Sequence, residues 1–201
     1  MRVALGLKSH SGWAALVAIG VDRGAYYVVE RSRIELIEDA DPDWPGQPYH
    51  AAEGKPAAEA SAIVERGIAQ ARRRAAGELQ AAAKRLRDAQ HTLVACAVLM
   101  PAPMPPWSVA EILAVHLRMH QAEGVLYPDA LLRGAARNDL GALPVVEKQL
   151  RTLACETLDA TPDELAQRIT ALGKTVGAPW GADQKSAALA AMFALRRSGV
   201  Q

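Results

Sequence analysis

The stretch His116-Leu117-Arg118-Met119-His120-Gln121-Ala122-Glu123 concentrates more reactive side chains than any other part of the chain. At about 100° per helical residue, His116, His120, Glu123 and Tyr127 fall within one stripe about 60° wide. The adjoining stripe, Ile112, Val115, Met119, Ala122, Leu126 and Ala130, is wholly apolar, so the polar stripe borders the core. Two imidazoles at i and i+4 with a carboxylate at i+7 could hold one divalent transition metal, with His116, His120 and Glu123 as ligands. They could equally form an acid–base relay in which Glu123 orients a histidine. The plain alternative is a hydrogen-bond network at the core boundary. No general base is embedded between the histidines, as it would be in HExxH.

A second polar cluster, Lys8-Ser9-His10, follows the apolar run at the start of the chain. In an open α/β sheet a strand end can face a ligand crevice. Lys8 and Ser9, with the backbone N–H groups of a Gly-containing turn, could hold a phosphate or carboxylate. An ordinary hairpin corner is the competing interpretation. His50, in the long loop at 38–55, could close over this corner. The broadest catalytic hypothesis joins Lys8, His10, His116, His120, Glu123 and Asp183 in one site. No G-x-S-x-G, P-loop or G-x-G-x-x-G occurs, and Gly173-Lys174-Thr175 lacks the upstream Gly of a P-loop.

The elements that must position these groups can be read along the chain. Residues 3–8 and 13–19 are apolar runs joined by the polar corner Ser9-His10-Ser11-Gly12. Asp22-Arg23-Gly24 is a turn signal, and YYVVERSRIELI at 26–37 is rich in β-formers with period-two alternation from Arg31. Three strands joined by short turns predict an antiparallel meander. The 38–55 loop is rich in Asp, Pro and Gly and carries Trp44. A long helix is expected over 56–90, with Val64, Ile68, Ala71, Ala75, Leu79, Ala82 and Leu86 on a narrow stripe. That stripe suits close packing on a sheet, or a homodimer seam. Arg72-Arg73-Arg74, Lys84-Arg85 and Arg87 give the other side a basic face, read as solvated in the absence of interleaved aromatics.

TLVACAVLM at 92–100 reads as a central strand buried on both faces. Ser108 with Glu111 forms a capping box for a helix to about Tyr127, where Pro128 is expected to end or kink it, followed by a helical piece at 129–138. LPVVEKQL at 143–150 reads as a short strand. Thr161-Pro162-Asp163-Glu164 starts a helix that Gly173 is expected to stop, and 182–197 forms the last helix.

A chain of 201 residues with 50% apolar content suits a single domain over 1–201 with a proper core. Its formal net charge of +1 excludes a global field steering it to nucleic acid or anionic membrane, though not a local basic patch. Cys96 and Cys155 lie in apolar surroundings and read as core residues of a reduced, cytoplasmic protein. Lys8 to Ser11 interrupt the N-terminal apolar run, which argues against a signal peptide, and no stretch approaches the ~20 apolar residues of a membrane span.

The element order is three strands, helix, strand, helix, strand, helix. With a polar corner after the first strand, it resembles the ribonuclease H-like fold and, within it, the Holliday-junction resolvase branch. That family opens with a Gly-Ile-Asp-Pro-Gly type strand end and a second strand near Thr-Gly-Tyr. The matching residues are Gly6-Leu7-Lys8-Ser9-His10 and Ser11-Gly12-Trp13. The last helix of the family begins with an Asp before small residues, here Asp183 in GADQKSAALAA. The resemblance implies an α/β fold: a five-stranded mixed sheet, made of the three-stranded antiparallel meander plus two parallel strands, with helices on both faces. It also implies a two-metal site built from carboxylates of the first strand, the fourth strand and the last helix. Here the first position is Lys8 and LVACAVLM holds no acid, so of those carboxylates only Asp183 remains.

Two functional expectations follow. The first is a ribonuclease H-like protein that lacks the nuclease site and binds nucleic acid or a protein partner. The second is a hydrolase-like enzyme of another mechanism using the His, Glu and Lys residues, with one transition metal.

Overall fold

The computed structural model describes residues 1–38 and 46–199. Of the expected 38–55 loop, residues 39–45 lie outside the described residues, and the remainder includes one short helix. The strands are β1 (Arg2–His10), β2 (Trp13–Asp22), β3 (Ala25–Glu35), β4 (Thr92–Met100) and β5 (Ala142–Val146). The helices are α1 (Pro48–Ala51), α2 (Ala57–Asp88), α3 (Val109–Leu113), α4 (His116–Arg137), α5 (Leu150–Leu158), α6 (Pro162–Val176) and α7 (Ala182–Arg197).

The sheet order is β3-β2-β1-β4-β5. β1, β2 and β3 form the antiparallel meander, and β4 and β5 add parallel to β1 on its other side. This is the mixed five-stranded sheet expected from the sequence. Side chains of a strand alternate between faces, so β1 and β4 each feed two cores. Val3, Leu5, Leu7, Cys96 and Val98 join the core beneath α2 and α4. Ala4, Ala95, Ala97 and Leu99 join the core beneath α5, α6 and α7. Pro144 is tolerated in β5 because β5 is an edge strand.

Small residues set how closely the helices approach. A Cβ on Gly6 would lie 1.8 Å from the Ala187 carbonyl oxygen and 2.7 Å from the Ala191 nitrogen, so α7 rests directly on the β1 backbone. A Cβ on Gly134 would lie 2.9 Å from the backbone of Ala75, which brings α2 and α4 together in the same way. The α2 stripe of Val64, Ala71, Ala75, Leu79, Ala82 and Leu86 is buried inside the chain. α4 and the sheet cover this stripe, so a homodimer through the 56–90 helix would have to use another face of it. The basic side of α2 is largely paired: Arg72 with Asp129, Arg73 with Glu38, Arg74 with Glu78, Lys84 with Asp88 and Arg85 with Glu30.

The helix after Ser108 differs from expectation. Its capping box forms, but α3 stops at Leu113 and Val115 is extended, with φ −140° and ψ 113°. A new helix starts at His116 and continues through Pro128. The proline removes one internal hydrogen bond, yet it is buried among α4 neighbours that hold the helix together. The segment 143–150 is strand only to Val146. A 3-10 turn at Glu147–Gln149 leads into α5, whose Leu150, Ala154 and Leu158 recur every four residues and are buried. α6 runs past Gly173 to Val176, and Gly177, at φ 70°, caps it instead. No helix among the described residues is long and apolar enough to cross a membrane.

Candidate functional site

β1 carries Lys8 and His10 on the same face as Ala4 and Gly6, towards α7. Lys8 Nζ makes an ion pair with Glu147 Oε2, from the turn that follows β5. His10 Nε2 lies 2.8 Å from Asp183 Oδ1 in the first turn of α7. Gly6 makes this possible, since it lets α7 lie against β1 with Asp183 one helical turn before Ala187. The result is a polar edge at the carboxyl ends of the parallel strands β1, β4 and β5.

The hairpin adds two residues that sequence reasoning did not single out as site residues. His10 stacks on Trp13 with ring centroids 4.5 Å apart and an interplanar angle of 16°. The Arg33 guanidinium carbon lies 4.2 Å from the Trp13 ring centroid. Pairing of His10 with Trp13, and of Ala15 with both Lys8 and Arg33, places these groups on one face. The period-two alternation of β3 already put Arg33 on a polar face; only the strand register shows that Trp13 meets it. Arg31, nearby on β3, is held by the carbonyls of Gly177, Ala178 and Pro179. A cavity of about 470 Å³ opens beside Glu147, with Arg151 and Lys185 among its lining residues and Leu165 and Ile169 supplying apolar wall.

The α4 stripe lies on the opposite face of the sheet, with α2. The fold thus brings Lys8, His10 and Asp183 to one place, and His116, His120 and Glu123 to another. The six do not converge, because β1 side chains of even number point away from α4.

All four members of the α4 stripe meet one short segment, residues 46–50. The Tyr127 hydroxyl donates to the Gly46 carbonyl at 2.7 Å. Glu123 Oε1 accepts the backbone N–H of Tyr49 at 2.8 Å and that of His50 at 3.4 Å. His50 Nδ1 lies 3.5 Å from the same oxygen. The His50 ring packs against His116 and His120, with centroids 5.6 and 4.8 Å away. His116 and His120 approach each other through their Nε2 atoms at 3.0 Å. His50 therefore does not close over the Lys8 corner; α1 carries it to the other side of the sheet. One ligand atom from each of His50, His116 and His120 falls within a group no wider than 4.8 Å, a grouping that could hold a metal ion. Glu123 stands behind this group, because two backbone N–H groups of the 46–50 segment claim its carboxylate.

Electrostatics follow from burial. Glu123 is 5% exposed, and burial pushes its carboxyl up to about 7 despite the two backbone hydrogen bonds that pull it down. Burial, and then the neighbouring His120 and His116, lower the pKa of His50 and favour its neutral imidazole. Burial, reinforced by Glu123, raises the Tyr127 phenol.

This sheet order and helix arrangement have counterparts among known structures. The chain is similar to Thermus thermophilus RuvC, with a TM-score of 0.54 and 13% identity over 98% of this chain and 97% of that one. It is similar also to T. thermophilus RuvC in complex with a Holliday junction substrate, with a TM-score of 0.52 and 11% identity over 96% of this chain and 92% of that one. The fold is ribonuclease H-like. No protein-family model matches the chain, and no curated protein sequence does.

Proposed function

We propose that this chain is a ribonuclease H-like protein that binds nucleic acid without the two-metal cleavage chemistry of its fold. The observation that carries this reading is the ion pair between Lys8 and Glu147. A pair of Mg²⁺ ions needs a convergent set of carboxylate oxygens. At the end of β1 stands an ammonium instead, and it is satisfied by the nearest acid. Asp183 faces His10, and β4 contributes Cys96, Val98 and other apolar side chains but no acid. These residues do not fit a two-metal site.

Beside that ion pair lies a surface suited to single-stranded or branched nucleic acid. His10, stacked on Trp13, offers a planar group to a base, and Arg33, over the same Trp13 ring and paired with Glu35, offers a cation that a phosphate would draw from that pair. The Holliday junction in the complex of the Thermus structural neighbour supports nucleic acid as the partner. An enzyme of another mechanism would have to work with one of the two clusters and not both, since Lys8, His10 and Asp183 sit on the opposite face of the sheet from the histidine group.

The test is retardation of branched and single-stranded DNA at low salt, with and without Mg²⁺. Retardation without strand cleavage is the expected result. Mg²⁺-dependent cleavage that disappears in Asp183→Asn would overturn the reading, and absence of any retardation would point to a protein partner instead.

A further inference from the structure

We propose that His50, His116 and His120 form a binding site for one divalent transition-metal ion, with Glu123 orienting His50 from behind. This stands apart from the nucleic-acid reading, which concerns the other face of the sheet. It also replaces Glu123 by His50 in the ligand set that the α4 sequence alone suggests.

The donor chemistry is specific. Three imidazoles suit zinc, nickel, copper or iron and not the hard cations that require oxygen. Neutral imidazole is the ligating form, and its free nitrogen lone pair is the donor. A tetrahedral ion with Zn–N bonds of about 2.0–2.1 Å needs its nitrogens about 3.3 Å apart. His116 and His120 already present their Nε2 atoms to each other at 3.0 Å, and all three ligand atoms lie within 4.8 Å. Small side-chain rotations therefore close the set.

The groups behind the ligands are in place as well. A metal-bound histidine commonly donates its other ring N–H to a carboxylate. His50 Nδ1 is 3.5 Å from Glu123 Oε1, is buried, and makes no hydrogen bond among the described residues. Glu123 Oε2 is likewise buried without a partner. A buried carboxylate with an unsatisfied oxygen is costly unless a positive charge sits nearby. An ion on the three histidines would supply that charge, one ring away. Three protein ligands leave the fourth position open, and His116 and His120 are exposed, so water or an anionic group can complete the shell. Since His50 belongs to α1 and the other two to α4, the ion would also fasten residues 46–50 to the helix.

The experiment is calorimetric titration of the full chain with Zn²⁺ at neutral pH in a non-chelating buffer, with Co²⁺ as a spectroscopic probe. One ion per chain is expected, with the ligand-field spectrum of a nitrogen-ligated, four-coordinate Co²⁺. His120→Ala, on an exposed helical position, should abolish that stoichiometric binding while far-ultraviolet circular dichroism stays unchanged. Glu123→Gln should keep the stoichiometry and weaken affinity about 10–100-fold. No stoichiometric binding by the unaltered chain, or binding that survives the double variant His116→Ala/His120→Ala, would overturn the site. If Glu123→Gln does not fold, His50→Ala takes its place, and undiminished affinity in that variant would remove His50 from the ligand set.

Discussion

Glu123 Oε1 accepts the backbone N–H of Tyr49 at 2.8 Å, joining residues 74 positions apart through a buried carboxylate. The contact turns a polar stripe on one helix into the seat of a separate segment. The other stripe members meet the same segment, with Tyr127 on Gly46 and His120 on His50 one turn away, and His116 on His50 two turns away.

Tyr127→Phe tests that seat without disturbing packing. The hydroxyl is the donor to the Gly46 carbonyl, and Tyr127 is 1% exposed. Loss of the bond leaves a carbonyl unsatisfied and is expected to cost about 1–2 kcal/mol in urea unfolding. Amide exchange at Tyr49 and His50 should accelerate, since their segment loses one of its anchors.

Two glycines should respond in opposite directions. Gly6→Ala places a Cβ 1.8 Å from the Ala187 carbonyl oxygen, between two backbones that cannot rotate away. We expect a loss of about 3 kcal/mol, seen as a lower urea midpoint at unchanged slope. Gly77 is exposed within α2, and a Cβ there would meet nothing within 4 Å. Gly77→Ala should therefore stabilise by about 0.5–1 kcal/mol, through helix propensity alone.

Nucleic-acid affinity should depend on the hairpin stack. Trp13→Ala removes the ring that holds His10 and Arg33 in place on either side of it, and is expected to weaken retardation of single-stranded DNA about tenfold. Arg33→Ala should reduce the slope of log affinity against log salt by about 1, the signature of one lost phosphate contact. Unfolding midpoints of the two variants measured alongside would show whether the loss reflects binding or folding.

The α6 cap gives the acid limb of stability a definite sign. The backbone N–H and then the hydroxyl of Thr161 hold the Glu164 carboxyl below its usual range. A depressed carboxylate contributes stability above its unfolded value and loses it as pH falls through the lowered folded value. Glu164→Gln should thus be less stable than the parent at neutral pH, with the difference shrinking on acidification. Thr161→Ala, which removes the hydroxyl that accepts from the Glu164 N–H, should cost about 1 kcal/mol at neutral pH.

Local chemistry was legible in the sequence wherever neighbours along the chain supply both partners. Ser108 with Glu111 forms its capping box as read, Thr161 starts α6 as read and also closes a capping box with Glu164, and the apolar runs and period-two alternation predicted the meander and the doubly buried β4. The i, i+4 spacing of Leu150, Ala154 and Leu158 was an available signal for α5, but the β-formers just before it carried the strand reading past Val146. The break at Val115 and the unbroken passage through Pro128 were not legible, because packing against the sheet outweighs the local cost of one lost hydrogen bond. Periodicity also placed His116, His120, Glu123 and Tyr127 on one stripe, but a stripe names a face and not what covers it. Which segment covers it depends on the sheet order, which sends α1 and α4 to one side and α7 to the other. Only the tertiary structure could therefore separate His10 and Asp183 from the histidines of α4, and bring His50 to them.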